Sequence, residues 1–383
     1  MLAPIFTRQM AAVPVARGKA EHDMQFEITP NTAPLPEDQR IEAFKALGFG
    51  TLFTDHMAVV RWTEGKGWHS AQITARAPFA LDPAASVLHY AQEIFEGMKA
   101  YRHEGGRVVL FRPEENARRF NASARRMAMP ELPEEVFLEA VDKLIAQDLK
   151  WVPEGEGSLY LRPFMFASEA FLGVRPAKEY IFCVIASPVG PYFKGGAKAV
   201  TIWTSQGYTR AAAGGTGAAK CGGNYAASLI AQAEAAAHGC DQVAFLDARE
   251  NRWIEELGGM NVFFVFKDGS IITPPLQGTI LPGITRKSLL QLAQDAGITI
   301  TERLYSFDEW KADAASGNLT EAFACGTAAV VAGIGKVKHT GGEFLVGDGQ
   351  TGPVTLRLRE ALVGLQRGQT NDPYGWVRPV ELA

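Results

Sequence analysis

The chain has 383 residues, of which 47% are hydrophobic and 21% are charged. This is the composition of a folded globular protein, and the length suits two or three domains rather than one small module. The 38 Lys and Arg residues nearly balance the 42 Asp and Glu residues without forming a block of one sign, so nucleic acid is not expected as a main partner. No apolar stretch approaches the roughly 20 residues of a membrane span, so no transmembrane helix is predicted.

The cysteines and histidines show no pattern of a disulfide framework or a metal site. The four cysteines form no C-x-x-C pair, and reduced thiols are therefore expected. The seven histidines show no H-x-x-x-H spacing, so no metal is predicted. Residues 1–19 lack a continuous apolar segment followed by a small-residue cleavage site. We therefore expect a cytoplasmic protein that begins with a loose tail.

The first half of the chain reads as a mixed α/β domain. Residues 1–38 are rich in proline and polar residues and predict a tail and surface segment, and the smaller domain is expected over 39–187. Pro113 with the glutamates after it suits the first turn of a helix. Strands are predicted at 54–61, 107–111, 158–163 and 180–186, and helices from about 113 to 127 and from about 133 to 149.

The second half reads as another α/β domain. Two prolines and three glycines within residues 187–196 indicate an interdomain linker at 188–196. A larger, cofactor-binding domain is then expected over 197–383. Its predicted elements are an Ala-rich helix at 224–238, strands at 242–246, 261–266, 321–324 and 330–337, a helix after Gly283, and a last helix at 353–366.

The most unusual segment is the Gly- and Ala-rich stretch 211–225, which contains a single lysine, Lys220. Small side chains let a ligand approach the backbone, and a lysine in such a place could act as an amine nucleophile. A flexible loop with a solvated lysine, or a phosphate cradle, would have the same composition. The phosphate-loop pattern G-x-x-x-x-G-K-[ST] fails, because Ala219 precedes the lysine and Cys221 follows it. These residues alone leave the flexible loop and the nucleophile open.

Other segments give weaker signals. Glu256 stands before a Gly-Gly pair that enters an apolar strand, but a turn with solvated glutamates explains this equally well. The helix after Gly283 could bind phosphate at its first N–H groups, although most helix starts bind only their own cap. Thr327 lies among small residues at a strand end. Arg119 and Arg162 stand beside apolar residues, where they could clamp a ligand or lie at the surface.

Taken together, these segments resemble the branched-chain amino acid aminotransferases, fold-type IV enzymes that use pyridoxal 5'-phosphate. The resemblance runs from about residue 26 to the C-terminus. Several motifs in the family's order are far more specific than any one of them. They are Phe49-Gly50-Thr51-Leu52-Phe53-Thr54-Asp55-His56-Met57, Leu88-His89-Tyr90, Phe95-Glu96-Gly97-Met98-Lys99, Tyr160-Leu161-Arg162-Pro163, Lys220-Cys221-Gly222-Gly223-Asn224-Tyr225, Glu256-Leu257-Gly258-Gly259-Met260-Asn261, Leu281-Pro282-Gly283 and Gly326-Thr327-Ala328.

The resemblance implies a two-domain α/β fold whose active site lies between the domains at the interface of a homodimer. By the same likeness Lys220 is the catalytic residue, which holds the cofactor covalently and moves a proton during the reaction. Glu256 would face the pyridine nitrogen and Tyr225 the ring 3'-oxygen. The cofactor phosphate would be held by Arg119, by the helix start at Ile284 and Thr285, and by Thr327.

For the substrates, the resemblance implies amino transfer between L-leucine, L-isoleucine or L-valine and 2-oxoglutarate, giving branched-chain 2-oxo acids and L-glutamate. Arg162 with Tyr160 would bind the second carboxylate of glutamate. Tyr90 and the loop 171–174 would serve the neighbouring subunit. The substrate pocket would be lined by Phe49, Tyr90, Phe95, Tyr160 and Tyr192, with backbone from Thr327 and Ala328 near the α-carboxylate.

The chain departs from mammalian members of that family at one point, because Ala329 and Ala332 replace their redox C-x-x-C pair. D-amino acid aminotransferase and aminodeoxychorismate lyase share the fold, but the motifs at 95–99 and 160–163 favour the branched-chain group. A binding protein that keeps the fold without catalysis, or a nucleotide-binding protein that uses the Gly-rich loop, is disfavoured. The reason is that the four expected site residues are all present: Lys220, Glu256, Tyr225 and Arg119.

Overall fold

A computed structural model describes residues 24–190 and 198–382, which form helices packed on two large sheets. Tyr192 and most of the predicted linker lie outside the described residues. The helices are α1 (Glu37–Phe44), α2 (Ser86–Tyr90), α3 (Pro113–Arg126), α4 (Glu134–Gln147), α5 (Gly222–Ala226), α6 (Leu229–Ala237), α7 (Ile284–Asp295), α8 (Phe307–Ser316) and α9 (Pro353–Gln366).

The strands fall into two nine-stranded sheets. Strands of the first sheet are β1 (Glu27–Ile28), β2 (His56–Thr63), β3 (Gly67–Ala75), β4 (Glu93–Phe95), β5 (Met98–Arg102), β6 (Val108–Phe111), β7 (Ser158–Ala167), β8 (Glu179–Val189) and β18 (Val377–Pro379). Strands of the second are β9 (Val200–Ser205), β10 (Gln242–Leu246), β11 (Ile254–Leu257), β12 (Asn261–Phe266), β13 (Ile271–Thr273), β14 (Ile300–Glu302), β15 (Leu319–Gly326), β16 (Val330–His339) and β17 (Gly342–Leu345).

The first sheet has the order β1-β3-β2-β8-β7-β5-β6-β18, with β4 paired to β7. Helices α3 and α4 cover it, because each presents an apolar stripe at helical spacing, in α3 through Ala117, Phe120 and Ala124. The rings of Phe120, Phe137 on α4 and Phe182 on β8 meet with centroids 5.5–5.8 Å apart. The final strand, β18, returns from the second half of the chain to pair with β6.

The second sheet has the order β11-β10-β9-β16-β15-β12-β13-β14. All six residues of β12 are buried, because helices pack on both faces of the sheet. Alternate residues of a strand point to opposite faces. Phe263 accordingly joins the cluster under α7 and α9, whereas Phe264 contacts Trp310 of α8 on the other side. A fully apolar strand thus reflects burial on both faces.

Strand register brings the motif-bearing segments together at one edge of this sheet. Asn261, the first residue of β12, pairs with Cys325 near the end of β15. The Gly258-Gly259 turn before β12 therefore lies beside the turn 326–330 that follows β15. The first sheet reaches the same place through β4, where Phe95 N–H donates to Lys220 O at 2.9 Å. The candidate site residues thus meet where the two sheets come together.

Most predicted elements are confirmed, and one helix prediction was wrong. Strands β10 and β12 and helix α9 have the expected bounds. The predicted helix at 224–238 is instead two helices, α5 and α6, separated at residues 227–228. Ser228 Oγ donates to Tyr225 O at 2.7 Å, and a serine that bonds nearby backbone in this way competes with a continuous helix.

The described segments contain no helix that is both long and apolar enough to cross a bilayer. Within the same segments, no group of three or more His, Cys, Asp or Glu side chains is arranged to hold a metal ion.

Candidate active site

Lys220 is fixed between the two halves of the structure. Its N–H donates to Ser123 Oγ of α3 at 2.9 Å, and its carbonyl accepts from Phe95 of β4. Its ammonium donates to the hydroxyl of Tyr225 at 2.8 Å and lies 4.8 Å from the centroid of the Phe95 ring. Backbone bonds thus hold the lysine from two sides, while its amine meets a phenol.

Glu256 supplies a buried carboxylate beside this lysine. It lies on β11 with 2% of its surface exposed, and its Oε2 accepts hydrogen bonds from Arg210 and, at 3.1 Å, from Leu281 N–H. Burial raises the pKa of the Glu256 carboxyl, although the Arg210 guanidinium pulls it the other way. Both hydrogen bonds within the described chain fall on Oε2, so Oε1 is left to accept a donor from a ligand.

Arg119 supplies a fixed cation. Its Nε and Nη2 each donate to Glu96 at 2.8 Å, and its Nη1 donates to Pro282 O at 3.2 Å. Burial works against the charged form of Arg119, but the Glu96 carboxylate more than offsets this and raises its pKa. Burial likewise works against the charge on Glu96, and Arg119 nevertheless lowers its pKa. These bonds use three of the five guanidinium N–H donors, which leaves two for an anion.

The start of α7 lies beside Arg119, because Pro282 stands two residues before the helix. Gly283 is the N-cap residue, and no side chain caps the helix. A Cβ at this position would overlap the amide oxygen of Asn261, so any larger residue would have to displace the Asn261 side chain. Ile284 and Thr285 therefore present uncapped backbone N–H groups next to a buried cation, which is an arrangement suited to phosphate.

The turn 326–330, which contains Thr327 and Ala328, closes the same region. A Cβ at Gly326 would lie 3.3 Å from the Met260 side chain, and one at Gly259 would lie 3.4 Å from the Tyr225 ring. The turn thus neighbours the residues that surround Lys220. From the first sheet, the Lys99 ammonium donates to Ala328 O at 2.9 Å and ties the turn in place.

A row of aromatic rings runs from Lys220 to Phe49. Phe95 contacts Tyr225 at a centroid distance of 4.9 Å, and Phe49 contacts Tyr160 at 5.0 Å. Arg162 joins the two pairs, since its guanidinium lies 4.8 Å from the Phe95 ring and donates to the Tyr160 hydroxyl at 3.0 Å. Its Nε is buried and has no hydrogen-bond partner in the described residues. The aromatic row therefore contains a cation with a donor that is free to bind an anion.

One predicted pocket residue stands apart from this row. Tyr90 bonds through its hydroxyl to Leu172 O, in the loop 171–174. Leu172 and Val174 on that loop expose 61% and 84% of their surfaces. Tyr90 thus lies with an exposed apolar loop instead of with Phe49 and Tyr160.

Sequence reasoning missed two charged residues of the site. No local signal in the sequence singles out Arg210, and Glu96 stands out only as part of the motif at 95–99. A buried carboxylate needs a nearby cation, and a buried guanidinium needs a nearby anion. The type of each partner could therefore be expected, but not its position in the sequence. The sequence holds many candidates for each, and only the packing of distant segments selects Arg210 for Glu256 and Glu96 for Arg119.

Comparison with known proteins agrees with the geometry. Residues 93–337 match the family Amino-transferase class IV. A probable branched-chain-amino-acid aminotransferase of Streptomyces coelicolor is 58% identical over 353 residues, covering 92% of this chain and 97% of that protein. A branched-chain-amino-acid aminotransferase of Mycolicibacterium smegmatis is 56% identical over 359 residues, covering 92% and 98%.

Solved structures are similar over most of the chain. The branched-chain amino acid aminotransferase of Escherichia coli matches with a TM-score of 0.71 and 31% identity, covering 85% of this chain and 100% of that one. The branched-chain aminotransferase of the thermophilic archaeon Thermoproteus uzoniensis, solved with norvaline, matches with a TM-score of 0.71 and 26% identity, covering 85% and 100%. With the lysine, carboxylate and arginine positions described above, these similarities show that the chain belongs to the branched-chain amino acid aminotransferases of class IV.

Proposed function

We propose that the protein catalyses reversible amino transfer between L-leucine, L-isoleucine or L-valine and 2-oxoglutarate, giving the branched-chain 2-oxo acid and L-glutamate. The observation that carries this proposal is the Lys220 ammonium, held 2.8 Å from the Tyr225 hydroxyl beside a buried carboxylate. An amine in this setting is equipped to bind a carbonyl compound covalently. The family to which the chain belongs supports the reaction class.

We assign pyridoxal 5'-phosphate as the cofactor, because the site offers a complement to each of its polar groups. Glu256 Oε1 is free to accept the ring N–H, and two donors of Arg119 with the uncapped start of α7 suit the phosphate. When bound, the cofactor supplies the electron withdrawal that side chains lack. The residues that would hold it are Lys220, Tyr225, Glu256, Arg119, Ile284, Thr285 and Thr327.

We assign the proton transfer at the substrate Cα to the Lys220 amine. Its backbone is fixed at both the N–H and the carbonyl, so only the flexible side chain has to move. Tyr225 lies within hydrogen-bond distance and can steady the amine between positions. A lysine with a fixed backbone and a mobile amine suits a step that removes a proton and later returns it.

The aromatic row supports the assignment of substrates. Phe49, Phe95 and Tyr160 present apolar surface to branched aliphatic side chains. The unpartnered Nε of Arg162 can bind the second carboxylate of glutamate or 2-oxoglutarate, which leucine lacks. Thr327 and Ala328 would bind the α-carboxylate that all the substrates share.

We also propose that the enzyme works as a homodimer. The loop 171–174 exposes Leu172 and Val174 and holds Tyr90 through a hydrogen bond. A second copy would cover this apolar loop, and Tyr90 would then act in the neighbouring site. We further propose a cytoplasmic location, which the four free, buried cysteines support.

The test uses the visible absorption of the protein supplied with pyridoxal 5'-phosphate. In the wild type, L-leucine should shift the absorption and 2-oxoglutarate should restore it. Lys220→Ala should show no such cycle, whereas Lys66→Ala, at an exposed lysine in a turn, should behave like the wild type. Faster turnover of D-alanine or aminodeoxychorismate than of leucine would contradict the proposed substrates.

A further inference from the structure

Arg210 occupies a buried position next to Glu256 that the proposed reaction does not yet explain. It precedes the Gly-rich loop, and 7% of its surface is exposed. Its Nη2 donates to the Glu256 carboxylate, to Gly217 O at 3.2 Å and to Thr279 O at 3.0 Å. One guanidinium nitrogen therefore connects β11, the Gly-rich loop and the segment before α7.

The local backbone is shaped to allow these contacts. A Cβ at Gly217 would overlap the carbonyl of Thr279, so only glycine lets the two segments approach this closely. The approach brings both carbonyl oxygens within reach of Arg210, and buried carbonyls require a donor. Thr279 in turn donates through its hydroxyl to Glu255 at 2.6 Å. Close packing against Thr279 thus explains the glycine at position 217 without any appeal to loop flexibility.

Glu256 depends on a nearby cation to remain ionised. It is buried, and burial favours the neutral acid. Arg210 and Lys220 attract it, and so does Arg119, which is itself paired with Glu96. The proposed function assigns the Lys220 amine to the cofactor, so Arg210 is the cation that stays hydrogen-bonded to Glu256. The other ionisable groups that interact with Glu256 are Glu255 and Cys325.

We propose that Arg210 is a positioning residue, which keeps Glu256 anionic with Oε1 free and so makes the site select a cofactor with a protonated ring nitrogen. Arg210 touches neither the reacting atoms nor the cofactor in this role. It holds Oε2, and Glu256 presents its other oxygen to the ring. The inference deepens the proposed function and rests on it.

The test compares two cofactors in binding to the apoenzyme, without any measurement of turnover. One is pyridoxal 5'-phosphate, and the other is its deaza analogue, in which C–H replaces the ring nitrogen. Arg210→Gln should weaken binding of pyridoxal 5'-phosphate by at least about tenfold, because a charge-assisted hydrogen bond is lost at the ring. Binding of the deaza analogue should stay within about twofold of the wild type or become tighter. Arg210→Lys keeps the charge, so it should recover most of the preference for pyridoxal 5'-phosphate over the deaza analogue.

A double variant keeps the inference testable even if Arg210→Gln folds poorly. Arg210→Gln combined with Glu256→Gln removes both buried charges together, and it should bind pyridoxal 5'-phosphate within about twofold of Glu256→Gln alone. The inference would be overturned if the double variant bound pyridoxal 5'-phosphate about tenfold more weakly than Glu256→Gln alone. It would also be overturned if Arg210→Gln weakened the binding of both cofactors equally. If the wild type fails to bind pyridoxal 5'-phosphate at all, the proposed function fails instead.

Discussion

Glu96 is the buried carboxylate that supports Arg119, and its removal should destabilise the apoenzyme. It is completely buried, and its two oxygens accept from Arg119 Nε and Nη2, from Asn116 Nδ2 at 2.7 Å and from Gly97 N–H at 3.2 Å. Glu96→Gln keeps the shape and one acceptor oxygen. In either orientation its amide points donors at Arg119, and it leaves a buried guanidinium without its counter-charge.

The expected loss follows from the nature of the pair. Removing one partner of a buried ion pair costs about 3–5 kcal/mol, because the remaining charge stays buried. Glutamine retains one acceptor, so we expect the free energy of unfolding to decrease by the lower end of this range, about 3 kcal/mol. If the free energy of unfolding falls by about 3 kcal/mol for each molar of urea, the urea concentration at the unfolding midpoint should decrease by about 1 M.

The assay is urea unfolding of the apoenzyme, followed by circular dichroism at neutral pH. The matched control is Glu104→Gln, at an exposed glutamate in the turn between β5 and β6. That variant should unfold within about 0.5 kcal/mol of the wild type. A Glu96→Gln midpoint equal to that of the control would refute the argument that Arg119 relies on Glu96.

Three further outcomes are expected. Gly97→Ala places a methyl group on the Tyr160 hydroxyl and should lower kcat/KM for leucine about tenfold or more, whereas Gly207→Ala, with open space around it, should not. Arg162→Lys should raise the KM for 2-oxoglutarate about tenfold, and that for the leucine-derived oxo acid far less. Burial lowers the pKa of Lys99 to about 8 from 10.5, so the unfolded chain holds the extra proton between these values. Stability should therefore rise with pH across this window, and Lys99→Met should lack the rise when urea midpoints are compared.

The sequence predicted those parts of the molecule whose signals are local. Strand β12 and helix α9 could be predicted from runs and periods of apolar residues. The small residues around Lys220 drew attention to it, but its role was implied only by the family resemblance. The break between α5 and α6 escaped prediction because the Ala-rich composition favours one continuous helix and does not reveal the local hydrogen bond of Ser228. The partners Arg210 and Glu96 escaped for another reason, since their roles follow from contacts across 46 and 23 residues of sequence.

The site contains two buried pairs of opposite design. In Glu96 with Arg119, the carboxylate holds one side of the guanidinium, which keeps two N–H donors free. In Arg210 with Glu256, the guanidinium holds Oε2 of the carboxylate, which keeps Oε1 free. A charge held ready in a buried site needs a fixed counter-charge, because the isolated ion would neutralise itself or destabilise the fold. Glu96 and Arg210 should therefore tolerate only substitutions that keep their charge, whichever ligand atom Arg119 or Glu256 contacts.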